Sequence, residues 1–312
     1  MTVVINAESV RQLREATGAG MMDCKKALTE TGNNFEEATL WLRKKGLAAA
    51  AKKADRTAAE GLIGLATSKD GRGGQGALVE INAETDFIAT NEEFQGLVSA
   101  AATIAVTAKG DADSIKSGKT PSGSTVEEVL THLVAKIGEN MQLRRTTYFQ
   151  INPGVVVGYI HNAVAPGLGK MGVLVVLESE ANQDELEALG KQLAMHVAAA
   201  NPQSISPDNL PAEVVERERN ILREQAASSG KPAEVIEKMI VGRLQKFYEE
   251  SVLLEQSLVM DPSIKVKDHI EAFAKASGKP VKVVDFVRFV LGEGIERAAN
   301  NFAEEVAAQM RA

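Results

Sequence analysis

Apolar residues recur at helical spacing through the N-terminal part of the chain. Val10 and Leu13 predict a helix over residues 9–17, and Met22, Ala27 and Leu28 a second over 21–30. Phe35, Ala38, Trp41 and Leu42 predict a third over 35–45. Each is followed by glycine: Gly18-Ala19-Gly20, Gly32-Asn33-Asn34 and Gly46. Glycine just past the last apolar position is a frequent helix terminator, because it enters the left-handed region without steric cost. The Ala-rich stretch 48–56, with Lys52, Lys53 and Arg56, reads as a solvated helical linker.

Beyond residue 60 the pattern becomes that of strands. A short run at 61–66 leads to Gly71-Arg72-Gly73-Gly74-Gln75-Gly76 and then an apolar strand at 77–82. The same order returns at 155–161, in Gly167-Leu168-Gly169-Lys170-Met171-Gly172, and at 173–177. The offset is constant, since 167 − 71 = 96 and 172 − 76 = 96, and it sets Leu78, Val79 and Ile81 on Leu174, Val175 and Leu177. At the same offset Leu97 falls on Leu193, and each copy runs into an Ala-rich helix, 92–107 and 183–200. A duplicated hairpin-plus-helix unit gives two similar α+β subdomains.

Residues 109–124 read as a polar loop, followed by a helix over 125–137. A charged helical hairpin follows the second unit: 212–229, a turn at Gly230, and a second arm opened by Lys231-Pro232 and running to 252. Its stripe of Val214, Ile221, Val235, Met239 and Phe247 is thin, which predicts a projecting element able to pair with another subunit. A strand over 281–291 and a helix over 293–310, with Ile295, Ala299, Phe302, Val306 and Met310 on one face, close the pattern.

Composition narrows the function. A chain of 312 residues predicts two or three domains. With 35 basic against 42 acidic residues (35 − 42 = −7) and only 4% aromatics, it lacks the positive charge and stacking surfaces of a general nucleic-acid binder. One cysteine, Cys24, allows no internal disulfide and suits a reducing compartment. No basic stretch followed by an apolar core opens the chain, and the longest apolar run, 171–177, is far short of the roughly 20 residues of a membrane span. The expectation is a soluble cytoplasmic protein.

Candidate chemistry is thin. Both glycine runs match the G-x-G-x-x-G fingerprint, but a dinucleotide loop follows a strand and opens a helix, whereas these lead into strands. Ser117-Gly118-Lys119-Thr120 resembles the tail of a phosphate-binding loop, yet position 113 is Asp where Gly is required, and Pro121 stands where a helix should begin. His132, His161, His196 and His269 are scattered without ligand spacing, so no metal or other cofactor is expected. Cys24, at a helix start between Asp23 and Lys25, fits a nucleophile by position and a packing residue by context.

Two segments suit protein contact instead. The stretch from Gly18 to Lys26 sets Met21 and Met22 beside lysines at a tight turn, and methionine adapts well to binding surfaces as well as to cores. Thr85-Asp86-Phe87-Ile88-Ala89 leaves a strand just before a helix; it fits either a capped loop with a core Phe or an exposed contact.

These segments carry a resemblance. Residues 13–28, LREATGAGMMDCKKAL, and 80–89, EINAETDFIA, resemble the two signatures of the bacterial elongation factor Ts family, and 136–140, 195–199 and 289–294 agree with it. Ala83, Ile88 and Thr90 depart from that family's usual Cys, Ser or Val, its common Val and its basic residue. The resemblance implies an α+β protein with a UBA-like three-helix domain and linker at 1–56 and a core subdomain at 57–148. A second core subdomain is implied at 149–211 with 261–292, a dimerisation hairpin at 212–260 and a C-terminal helical module at 293–312. It implies a non-enzymatic exchange factor that binds elongation factor Tu with GDP and promotes GDP release. Asp86 and Phe87, framed by Thr85 and Ile88, would wedge against the partner near its magnesium and phosphate sites. Arg14, Met21, Met22 and Lys25 would make the contacts of the three-helix domain, and Ile137, Gly138 and His196 further contacts across the core. A nucleotide-using enzyme and a passive adaptor are the rival readings.

Overall fold

The computed structural model describes residues 5–227 and 233–296. The chain is α+β. Helices α1 (Ala7–Thr17), α2 (Met21–Glu30) and α3 (Phe35–Ala51) come first, then strands β1 (Glu60–Asp70) and β2 (Gly73–Ala83). A short 3-10 turn over Asp86–Thr90 precedes α4 (Glu92–Thr107), α5 (Ala112–Ser117), α6 (Val126–Ile137) and β3 (Met141–Ile151). The second half holds β4 (Gly154–His161), β5 (Leu168–Gly169), β6 (Met171–Glu178) and α7 (Gln183–Ala200). It continues through α8 (Ala212–Ala227), α9 (Ala233–Ser251), β7 (Ser257–Leu258), β8 (Asp261–Lys265), α10 (Val266–Ser277) and β9 (Lys282–Val290).

Two antiparallel sheets, ordered β3-β2-β1-β5 and β4-β6-β9, pack on each other, with helices on their outer faces. Strand alternation sorts the side chains. Ala77, Val79 and Ile81 of β2 join Phe94, Leu97 and Val98 of α4 and Leu133 of α6 in one core. Val173, Val175 and Leu177 of β6 join Leu186, Leu189 and Leu193 of α7 in another. Leu78, Leu174, Ile63 and Val156 meet between the sheets.

The duplication reaches the details. The β2–β3 register shifts at Glu80/Ile81 and the β6–β9 register at Val176/Leu177, so the bulge recurs at 176 − 80 = 96. A Cβ added to Gly76 would lie 3.1 Å from Leu174 Cδ2, and one added to Gly172 would lie 2.9 Å from Leu78 Cδ2. With 172 − 76 = 96 and 174 − 78 = 96, the sheets meet with two-fold reciprocity. The glycine runs are therefore mostly strand: Asp70 pairs with Gly73, and only Gly71 and Arg72 form the first turn.

The helices follow a different offset. Buried Phe94, Leu97, Val98, Ala101, Ala102, Ala105 and Val106 of α4 coincide with Leu186, Leu189, Gly190, Leu193, Ala194, Val197 and Ala198 of α7 at 186 − 94 = 92. Leu97 thus matches Leu189, not the expected Leu193. The first copy has 96 − 92 = 4 residues more between strand and helix. Where strand meets helix the copies also exchange large for small. A Cβ on Gly64 would meet Val98 Cγ1 at 2.8 Å, whereas one on Gly190 would meet Val157 Cγ2 at 2.5 Å.

Other expectations are corrected. Gly46 does not end the third helix; α3 continues to Ala51, and Gly46 lies where a Cβ would be 3.6 Å from Thr131 Cγ2 and 3.8 Å from Ala135 Cβ of α6. It serves close helix packing, and of the expected helical linker only residues 48–51 are helix, as the end of α3, while 52–56 turn away from it. The polar loop at 109–124 contains α5, capped by Asp111, whose side chain accepts from the Ser114 amide. Strands β3, β5, β7 and β8 and helix α10 have no counterpart in the sequence pattern. In the hairpin, α8 and α9 join through Leu222, Ile240 and Leu244 with Val215, Ile236, Phe247 and Tyr248, leaving Ile221 and Val235 exposed. The turn at Gly230–Pro232 and, past residue 296, the expected C-terminal helix lie outside the described residues.

Candidate protein-binding surface

The extra residues of the first copy form a built projection. Thr85 is extended (φ −120°, ψ 158°), and the chain then turns through Asp86–Thr90 before Asn91 caps α4 by accepting from the Phe94 amide at 3.0 Å. Ile88 and Ala89 point into the core, while Asp86 and Phe87 point out, with Phe87 80% exposed. Ile88 fills the place that a core Phe would have taken. The turn is braced from within: Thr90 Oγ1 donates to the Phe87 carbonyl at 2.9 Å and Gln95 Nε2 to the Ala89 carbonyl at 2.7 Å. It is braced from outside by Glu139, whose carboxylate accepts from the Thr85 amide at 3.1 Å and its hydroxyl at 2.7 Å. A large aromatic held in water costs roughly 1.5–3 kcal/mol relative to burial, so a braced turn that presents one forms an exposed apolar surface.

The N-terminal helices present a second one. Gly18, in the left-handed region at φ 65°, ends α1, and the chain turns directly into α2. Leu13, Cys24, Ala27, Leu28 and Ala38 fill the small core. Burial pushes the Cys24 thiol up, which removes the nucleophile reading and leaves the packing one. Met21 and Met22 take no part in that core; they are 59% and 75% exposed, and Arg14 and Lys25 are exposed near them in sequence.

The three-helix unit is docked on α6. Arg43 pairs with Glu128 at 2.9 Å, Lys53 Nζ donates to the Val134 carbonyl at 3.1 Å, and Gly18 lies so close to His132 that a Cβ would be 2.7 Å from its Nε2. Burial holds His132 below the usual histidine value, and nearby Lys136 acts in the same sense. Helix α6 starts in a reciprocal cap, Thr125 with Glu128, and ends at Gly138 (φ 94°). Ile137 packs partly against the first core and Gly138 is half-buried beside Lys53, so both lie at the end of α6 next to Glu139.

His196 is elsewhere and has no surface. It is fully buried on α7; its Nδ1 accepts from the Val259 amide at 3.2 Å, so the proton sits on Nε2, 2.9 Å from Gln256 Oε1. Burial lowers its pKa, against an opposing hydrogen bond to Gln256. A neutral ring thus anchors the turn between β7 and β8, where Val259 and Met260 are exposed. The structure gathers Thr85–Ile88 with Ile137 and Gly138, and sets His196 inside the other half.

A group that sequence reasoning missed stands on β2 itself. Glu80 is fully buried and accepts from Arg144, Arg145, Asn82 and the Gly292 amide. Burial alone raises its pKa, but the Gly292 amide, Arg145, Asn82 and Arg144 outweigh it and hold the carboxyl below its ordinary value. Among the described residues no group of three or more His, Cys, Asp or Glu could hold a metal ion, and no helix is long and apolar enough to cross a membrane.

Comparison with known proteins places this architecture. The family described as Elongation factor TS matches residues 84–293. Elongation factor Ts of Rhodospirillum rubrum is 56% identical over 309 residues, covering 98% of this chain and 99% of that protein. Elongation factor Ts of Paramagnetospirillum magneticum is 54% identical over 306 residues, covering 98% and 97%. The chain belongs to the elongation factor Ts family. The match to the elongation factor Ts family opens at Glu84, two residues before the braced turn, and closes at Glu293, whose carbonyl accepts from Arg144 at 2.6 Å. Nearly full-length relatives extend the likeness over the three-helix unit.

Proposed function

We propose that this chain, a cytoplasmic protein, is the nucleotide exchange factor of elongation factor Tu. It binds the GDP-bound factor, disturbs the magnesium and phosphate region of its nucleotide site, and so promotes GDP release and GTP loading. The observation that carries this reading is Phe87, held out in water beside Asp86 on a turn braced from both sides. Asp86 and Phe87 act as the wedge, and Thr85 and Ile88 frame it.

Arg14, Met21, Met22 and Lys25 grip the same GTPase from the three-helix unit, and Ile137 and Gly138 add contacts at the wedge's base. His196 acts indirectly, by shaping the Val259–Met260 turn that meets the partner. The exposed Ile221 and Val235 of the hairpin serve self-association.

Magnitudes require this spread of contacts. Shifting release by about ten-thousand-fold takes roughly 5.5 kcal/mol of differential binding, and burying one Phe supplies about 1.5–3 kcal/mol. The grips at both ends supply the remainder, and by linkage GDP weakens the factor's hold in equal measure. Release of a fluorescent GDP from elongation factor Tu, at substoichiometric amounts of this chain, tests the proposal; no acceleration from a folded, binding protein refutes it and leaves an adaptor. Asp86→Ala with Phe87→Ala is expected to keep complex formation and lose exchange, and equal loss of both counts against a wedge.

A further inference from the structure

We propose that Glu139 is the positioning residue of the Asp86–Phe87 turn, a role that rests on the exchange reading above. Thr85 is the last extended residue before the turn, and its side chain caps nothing within it. Its amide and its hydroxyl both go to one carboxylate 139 − 85 = 54 positions away: the amide to Glu139 Oε2 at 3.1 Å and the hydroxyl to Oε1 at 2.7 Å. No cation among the described residues forms an ion pair with Glu139, so Thr85 is the object of both oxygens. A two-point hydrogen bond to a charged acceptor fixes both the position and the rotation of the residue it holds.

The next residue extends the same hold to the N-terminal unit. Asn140 donates its amide to Glu84 Oε1 at 2.6 Å, and its side chain donates to the carbonyls of Ala54 at 3.3 Å and Arg56 at 2.7 Å. Residues 139–140 therefore grip the base of the wedge and the exit of the three-helix unit together. They follow directly on α6, the helix to which that unit is docked. One rigid element thus sets where Phe87 stands relative to Met21 and Met22, the condition for both to engage one partner at once.

The second copy supplies the contrast. At the strand offset, Thr85 corresponds to Ala181 (85 + 96 = 181), whose amide is satisfied locally by Ser179 Oγ at 3.1 Å. The long-range clamp belongs to the copy with the extra residues.

The test follows GDP release from elongation factor Tu as a function of factor concentration. Thr85→Val and Glu139→Gln are each expected to lower the saturating rate about tenfold, the scale of one lost charge-assisted hydrogen bond. The half-saturating concentration should stay within about threefold. The double variant should lose no more than the worse single one, and Thr85→Ser should restore the rate. In the free protein, amide exchange of residues 85–90 should quicken in Glu139→Gln while the amides of β2 stay protected. Additive losses, an unchanged saturating rate with raised half-saturation, or unaltered amide exchange each overturn the positioning role. A wild-type chain that leaves GDP release unchanged overturns the exchange reading and this role with it. A wild-type chain that accelerates release, with variants that match it, overturns the positioning role alone.

Discussion

The two copies of the hairpin-plus-helix unit share their strands, their bulge and the buried face of their helix, and they part at the strand exit. In the first, residues 84–91 join β2 to α4; in the second, residues 179–182 join β6 to α7. The short link does only what a helix start requires: Asn182 accepts from the amides of Asp184 and Glu185. The long link also has a cap, Asn91, and spends its additional residues on a turn that puts Phe87 into water. A second difference lies behind it, where buried Glu80 stands at the position that Val176 holds in the other sheet (176 − 80 = 96). The shared scaffold is common to both halves, and the projecting turn belongs to one of them.

The largest effect expected from erasing this difference is on exchange. Replacing residues 84–91 by the sequence of 179–182 makes the first link like the second. GDP release should fall to the uncatalysed rate while thermal melting still shows one folded chain; retained exchange would show that recognition lies outside the link. Next in size is Glu80→Val, which gives the first sheet the residue of the second. Arg144 and Arg145 lose their buried partner, and a loss of about 3 kcal/mol is expected in denaturant unfolding.

The pH dependence of that loss is fixed in sign. The folded pKa of Glu80 is depressed, so its stabilisation is complete above the unfolded carboxyl value of about 4.3 and disappears as pH falls through the lower folded value. Wild type and Glu80→Val should therefore converge in stability on acidification below about pH 4, and parallel curves would contradict the depressed value. Smallest is Gly190→Val, which forces a side chain into Val157 and should cost about 2 kcal/mol. Val157→Gly in the same chain should recover part of it, a non-additivity that unfolding midpoints can measure.

Much of this architecture is legible in the sequence, for physical reasons that also explain the failures. Val10, Leu13, Cys24 and Leu28 lie on periodic faces because each small helix has only one core to meet. The strands of the repeat read clearly because β2 and β6 are buried on both sides. Strand β3 is half-buried along most of its length, and Arg144, Arg145, Thr146 and Thr147 break any apolar run. Gly46 looks like a terminator because nothing local announces the nearby α6 that needs the space. At the site, the sequence leaves Phe87 between core and surface; the structure sets it outside, with Ile88 buried in its stead. Glu139 stands in a segment that the sequence does mark, but its bond to Thr85 spans too much chain to be read from spacing.

The exchange of large for small between Gly64–Val98 and Val157–Gly190 bears on how the chain assembles. During folding, two similar helices come within reach of two similar sheets, and their shared apolar faces alone would not tell them apart. If α7 settled on the first sheet, Gly190 would lie over Gly64 and leave a hole. If α4 settled on the second, Val98 would be driven into Val157. Either mispairing is penalised from within the core, so each half can find its own helix although both were copied from one pattern. A chain that carries Gly190→Val and Val157→Gly loses that discrimination while keeping each proper pairing matched, and its refolding yield is where the loss should register.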